Sequence, residues 1–228
     1  MHSNMAGDMG SGYEDPAPQR TANPDEMREY ASLSQLAYDH TDETPSTTYQ
    51  DYGWSVTGGG DDMVVFSRAG EDGTPEYAVA YKGTSLSGPT AVENLTDDAV
   101  ILAGAESNVA GVGTFDESSA FTQKVIDEMA GGDASRVTVT GHSLGGTKAM
   151  QASKTTGAKA IVYNPGVSPL SVTHYYTDPG LSDVTIYHTA GDPVSSSARL
   201  LNKADSVTVH TVRYVPRHNP HSLKNFLD

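Results

Sequence analysis

Apolar and polar positions along the chain change their period several times, and each change marks a new element. Met27, Tyr30, Ala31, Ser34 and Tyr38 recur at helical spacing behind Asn23-Pro24-Asp25-Glu26. That start offers an N-cap, a proline at the first helical position and a carboxylate at the third, so the pattern predicts a helix near 24–39. Residues 41–50 are polar and read as loop. Trp54–Thr57, Met63–Arg68 and Tyr77–Lys82 read as three strands with Gly-rich turns at 58–60 and 70–73. From 83 to 117 only Leu95–Leu102 is periodic. Ser118–Met129 predicts a helix ended by Gly131-Gly132. Beyond it the chain alternates: strand 136–140, helix 144–156, strand 159–163, strand 183–189, a short helix near 195–203, strand 206–213, and a helical turn starting near His221. Strands alternating with helices predict an α/β fold, a mainly parallel central sheet covered by helices on both faces, with antiparallel hairpin strands added by the first half. One domain over 24–228 is expected. Residues 1–23, rich in Gly, Ser, Met, Asp and Pro, read as a disordered tail.

Composition narrows the function classes. The 228 residues hold 14 basic and 29 acidic side chains, a formal charge of −15. Such a surface repels nucleic acid and anionic headgroups at low salt. The chain has no cysteine, which excludes disulfides, thiol catalysis and cysteine–metal sites. No run approaches the roughly 18 apolar residues of a membrane-spanning helix, and the first residues lack a secretory signal pattern. A cytosolic protein, one released by another route, or a processed one is expected, and the disordered tail on a compact domain would also suit a virion component. His188 and His210 have no partner at a metal-ligand spacing, so neither metal nor cofactor is expected.

The chemistry is concentrated at Gly141-His142-Ser143-Leu144-Gly145, a G-x-S-x-G pattern between the β-branched run 136–140 and the helix 144–156. It predicts Ser143 as a nucleophile on a sharp strand-to-helix turn, where glycines are needed because the backbone approaches itself closely. A serine hydroxyl needs a base, and the base needs a carboxylate to orient it. In hydrolases of this type acid and then histidine follow the serine. Asp192, in Gly191-Asp192-Pro193 after the apolar strand, sits where a carboxyl strand end would place it. Asp178 and Asp183 precede that strand and would lie at its wrong end. His221 follows the last strand and opens a segment anchored by Leu223 and Phe226; His218 is its competitor. For the oxyanion, the Leu144 amide is one donor, and Thr84, after Tyr81-Lys82-Gly83, is the second.

Taken together, Tyr81-Lys82-Gly83-Thr84, Asn94-Leu95-Thr96-Asp97, Gly141-His142-Ser143-Leu144-Gly145-Gly146, Tyr163-Asn164-Pro165-Gly166 and Gly191-Asp192-Pro193-Val194 resemble the class 3 (fungal-type) lipases over residues 25–228. The resemblance implies an α/β hydrolase acting on carboxylic esters of glycerides or phospholipids, with Ser143, Asp192 and His221 as triad and Thr84 and Leu144 as oxyanion donors. The family's usual arginine before the oxyanion glycine is Lys82 here. The lid segment, Ser85–Glu93, has few large apolar residues. The expected activity is a lipase or esterase, with a lipid or small ester as substrate and peripheral contact with a lipid interface. Phospholipase A1 activity is the alternative, and a non-catalytic hydrolase-fold scaffold is the rival from another class.

Overall fold

The computed structural model describes residues 22–40, 45–83, 112–167, 183–203 and 206–228. Residues 1–21 of the tail expected over 1–23, the lid segment Ser85–Glu93, the periodic stretch Leu95–Leu102, Asp178 and Thr84 lie outside the described residues. Seven strands form one sheet in sequential order: β1 (Ser55–Gly60), β2 (Met63–Ala69), β3 (Pro75–Tyr81), β4 (Val137–His142), β5 (Lys159–Tyr163), β6 (Val184–Thr189) and β7 (Val207–Val212). β1, β2 and β3 pair antiparallel, whereas β3 to β7 are parallel.

A sheet that grows in one direction through crossovers of one hand places every crossover on the same face. Accordingly α2 (Val112–Glu128), α3 (Leu144–Thr156) and the 3-10 helix Ser196–Lys203 all cover one face. The opposite face is closed by α1 (Pro24–Asp39) and the 3-10 turn Leu223–Phe226. Alternation along each strand sorts the side chains between them. Val65, Val79, Val139, Val162 and Ile186 belong to the core on the side of α2 and α3, while Phe66, Ala80, Ile161, Tyr163 and Tyr187 belong to the core on the side of α1 and the terminal turn.

α1 starts as its sequence dictates, with the Asn23 side chain accepting from the Asp25 and Glu26 amides. Leu33 and Leu36 are buried beneath it, each contributing roughly 1.5–3 kcal/mol. Its first turn is pinned where the Tyr163 hydroxyl donates to the Met27 carbonyl at 2.6 Å. Tyr163 and Tyr187, register partners on β5 and β6, stack at 5.7 Å, and His210 on β7 continues the row at 5.1 Å from Tyr187.

Three stretches differ from expectation, the first being the polar run 41–50, expected as loop, in which a 3-10 helix Thr48–Tyr52 begins. Gly58–Gly60, expected as a turn, continue β1 through a bulge between Val56 and Gly58, and the chain reverses at Asp61-Asp62 instead. Gly59 has φ +140° there, pairs with Val64, and lies so close to the Met63 carbonyl that a Cβ would not fit, so the glycine serves the close approach of the two paired strands rather than a loop. α2 begins at Val112, six residues before the predicted Ser118, through Val, Gly and Thr residues of weak helix propensity.

Candidate active site

Ser143 is the single residue between β4 and α3. Its backbone sits at φ +58°, ψ −126°, a conformation costly for any residue with a Cβ. The strain is tolerated because close packing on all sides over-determines the turn. A Cβ on Gly141 would strike the Gly145 backbone, and one on Gly145 would strike the Tyr81 carbonyl. The Ser143 amide donates to the Tyr163 carbonyl at 3.0 Å, tying the turn to β5. Ser143 itself is 3% exposed.

Three side chains meet at this turn from three strand ends. The Ser143 Oγ lies 2.9 Å from His221 Nε2. On the other side of the ring, His221 Nδ1 lies 3.1 and 3.0 Å from the two carboxylate oxygens of Asp192. An ionised carboxylate only accepts, so Nδ1 carries the ring proton, Nε2 is bare, and the serine hydroxyl donates to it. Asp192 follows β6 through Gly191, whose φ of +85° forms a tight turn closed by the Asp192 amide on the Thr189 carbonyl at 3.1 Å. Its carboxylate also accepts from the Val194 amide at 3.1 Å, the Ser195 amide at 3.2 Å and the Ser195 hydroxyl at 2.5 Å. Burial alone would push this carboxyl up. The hydrogen bonds and charge of His221, joined by Ser195 and Val194, outweigh burial and hold it below the ordinary carboxylate range.

His218 does not reach the site. It contacts Asp228 at 2.6 Å on the surface, together with Arg217. Asp183 precedes β6, at the opposite end of that strand from Asp192. Leu144 opens α3, so its amide is one of the first helical N–H groups, which have no acceptor inside their own helix. Thr84 lies outside the described residues, but Gly83 directly before it packs against the turn at the His142 carbonyl and the Gly145 amide. No group of three or more His, Asp or Glu side chains among the described residues is arranged to hold a metal ion. His188 is buried at 2% exposure with its Nε2 on the Thr211 hydroxyl at 2.9 Å, and His210 is stacked on Tyr187.

Four supporting residues carry no role in the sequence analysis. Asn164, at φ +42° and 0% exposed, follows β5. Its Oδ1 accepts from the Thr189 amide at 2.7 Å, and its Nδ2 donates to the Thr189 hydroxyl and to the Pro220 carbonyl, each at 3.2 Å. It therefore joins the strand end that leads to Asp192 with the residue before His221. Ser195 fixes the Asp192 carboxylate. The signals were present: Asn164 in Tyr163-Asn164-Pro165-Gly166 is a residue type that tolerates a left-handed backbone, and Ser195 stands three residues after Asp192, where an aspartate side chain accepts from the amides two and three residues on. Tyr38 and His142 are the other two. The Tyr38 hydroxyl lies 3.2 Å from His142 Nδ1, and His142 Nε2 lies 2.6 Å from the His221 carbonyl. Tyr38 reads in sequence only as one member of a helical face, and His142 precedes the serine where no base is sought. Burial first, and then the nearby His221, push the His142 imidazole down to about 3, so it stays neutral beside the base.

A mostly parallel, helix-covered sheet with a serine on the strained turn between strand and helix is an α/β-hydrolase fold. No family model matches the sequence, and no curated protein does. Among solved structures the chain is similar to a hyperthermophilic esterase from the archaeon Pyrobaculum calidifontis, at 16% identity and a TM-score of 0.41, over 90% of this chain and 87% of that one. It is also similar to acetyl xylan esterase 1 from Thermoanaerobacterium sp. JW/SL YS485, at 14% identity and a TM-score of 0.37, over 87% and 88%.

Proposed function

We propose that this chain is a serine hydrolase that cleaves carboxylic esters through an acyl-enzyme, with Ser143 as nucleophile, His221 as base and Asp192 as its orienting acid. The observation that carries the reading is the continuous line Ser143 Oγ–His221–Asp192, at 2.9 Å and 3.0 Å. His221 Nε2 takes the serine proton as Oγ attacks the ester carbonyl. The imidazolium so formed is stabilised by the ionised Asp192. The Leu144 amide and the Thr84 amide and hydroxyl hold the oxyanion, and His221 then protonates the leaving alcohol. Water repeats the sequence on the acyl-enzyme, regenerating Ser143 and releasing the acid. The substrates in this reading are neutral lipid or small esters, since a formal charge of −15 disfavours anionic membrane phospholipids at low salt.

Labelling with a fluorophosphonate, read by intact mass, tests the reading. The native chain is expected to take one adduct and Ser143→Ala none, with ester turnover in that variant lower by on the order of 10⁵-fold or more. A folded native chain that takes no adduct, with or without detergent, would support the non-catalytic scaffold instead.

A further inference from the structure

Tyr38 and His142 are neither nucleophile, base nor acid, yet they connect the segments that supply all the reacting groups. An inventory of protons fixes the direction of each contact. The His221 carbonyl can only accept, so the 2.6 Å contact requires the hydrogen on His142 Nε2. A neutral imidazole has one N–H, which leaves Nδ1 as a bare acceptor. The donor facing it is the Tyr38 hydroxyl at 3.2 Å, equally close to the His142 carbonyl. A directed chain results: Tyr38 O–H to His142, and His142 Nε2–H to the His221 carbonyl. Packing reinforces it. A Cβ on Gly83 would collide with the Tyr38 hydroxyl, and the His142 and His221 rings lie 4.8 Å apart at 43°.

We infer that Tyr38 and His142 form a positioning pair that holds the His221 backbone and the Gly83 strand end in register around Ser143. The inference rests on the serine hydrolase reading. Asp192 holds the imidazole of His221 at Nδ1, while the backbone that carries the ring is held at its amide by the Asn219 side chain at 2.9 Å. His142 adds the restraint on the carbonyl of the same residue. Together these restraints keep Nε2 on the Ser143 Oγ.

Three variants test the pair. Tyr38→Phe removes only the hydroxyl, His142→Phe removes both ring nitrogens, and His142→Gln keeps an N–H for the His221 carbonyl. With rates normalised to serine titrated by fluorophosphonate, kcat is expected to fall about tenfold in Tyr38→Phe and about 100-fold in His142→Phe at unchanged KM, because small misplacements are costly in a preorganised site. His142→Gln should recover most of the loss. A purely structural pair would lower the titratable fraction and the melting temperature but leave kcat per titrated serine at the native value, and that result overturns the inference. A second readout does not need turnover. The His221 Nδ1 proton, followed by NMR in 15N-histidine-labelled protein, should exchange with water several-fold faster in Tyr38→Phe and His142→Phe. Unchanged exchange in both variants overturns the positioning role even if the native chain cleaves no ester, whereas a native chain inert to fluorophosphonate counts against the hydrolase reading alone.

Discussion

At the amino ends of the parallel strands, Arg68 lies 4.4 Å from the centroid of the Trp54 ring and bridges Glu29 at 2.6 Å and Glu76 at 3.0 Å. Nearby, Lys159 pairs with Glu26 at 2.6 Å. At the carboxyl ends, Ser143, Asn164, Asp192 and His221 form a network of comparable reach. The first network is made of formal charges, 14–39% exposed, on relaxed backbone. The second is almost wholly enclosed, contains one carboxylate, and holds both of the non-glycine residues with positive φ among the described residues. Exposed ion pairs contribute little because water competes for the same charges and screens them. Enclosed hydrogen bonds fix positions more sharply, since an orphaned buried group costs about 1–3 kcal/mol. The contrast teaches where this fold concentrates strain: at the end that holds the candidate site, and not at the end that holds the ion pairs.

Substitutions at the two ends should therefore give opposite signatures. The largest effect is expected from Asp192→Asn, which preserves shape but loses the carboxylate that selects the His221 tautomer; turnover should drop by on the order of 10⁴-fold, measured as kcat on a soluble ester. The same variant carries a pH signature. The Asp192 pKa is lower in the folded chain than in the unfolded one. Its stabilisation is thus complete above the unfolded value near pH 4 and is lost as pH falls through the folded value. Acid unfolding of Asp192→Asn should be flatter than native below about pH 4, and an unchanged acid limb would show that the carboxylate is not held by these donors.

Asn164→Gly comes next. Glycine accepts the left-handed backbone without strain, so the change isolates the lost amide. A reduction in kcat of about 10- to 100-fold with a small shift in melting temperature is expected. If Asn164→Ala is the only variant of the two to lose activity, the backbone and not the hydrogen bonds is what matters. The smallest effect belongs to the amino end. Arg68→Ala should cost about 1 kcal/mol of stability, mostly through the lost stacking on Trp54, and leave kcat at the native value. A large drop in kcat there would dissolve the distinction between the two ends.

Much of the fold was legible because local chemistry and global packing agree. The Asn23 cap, the β-branched strands and the left-handed Gly157 after α3 each mark their boundary in sequence. The Gly58–Gly60 stretch was misread because glycines present no side chain to a period, and a bulge and a turn look alike in one dimension. In the candidate site, the residues proposed to react could be ordered by motif and chain order, and the structure brings Ser143, Asp192 and His221 within hydrogen-bond distance. The residues that support them could not. Asn164, Ser195, Tyr38 and His142 act through backbone carbonyls and amides, and a carbonyl has no letter in the sequence.

The contact between Tyr38 and His142 spans 104 positions in the chain, and that between Ser143 and His221 spans 78. Long separations mean a large loss of chain entropy before either contact can form, so the site is assembled late in folding. Helices α1 and α3 can each form early from local contacts, while the candidate site waits for β7 to add the last parallel edge. On the proposed function, ester cleavage recovered during refolding would lag behind recovered helical signal, and activity would serve as a clock for completion of the sheet.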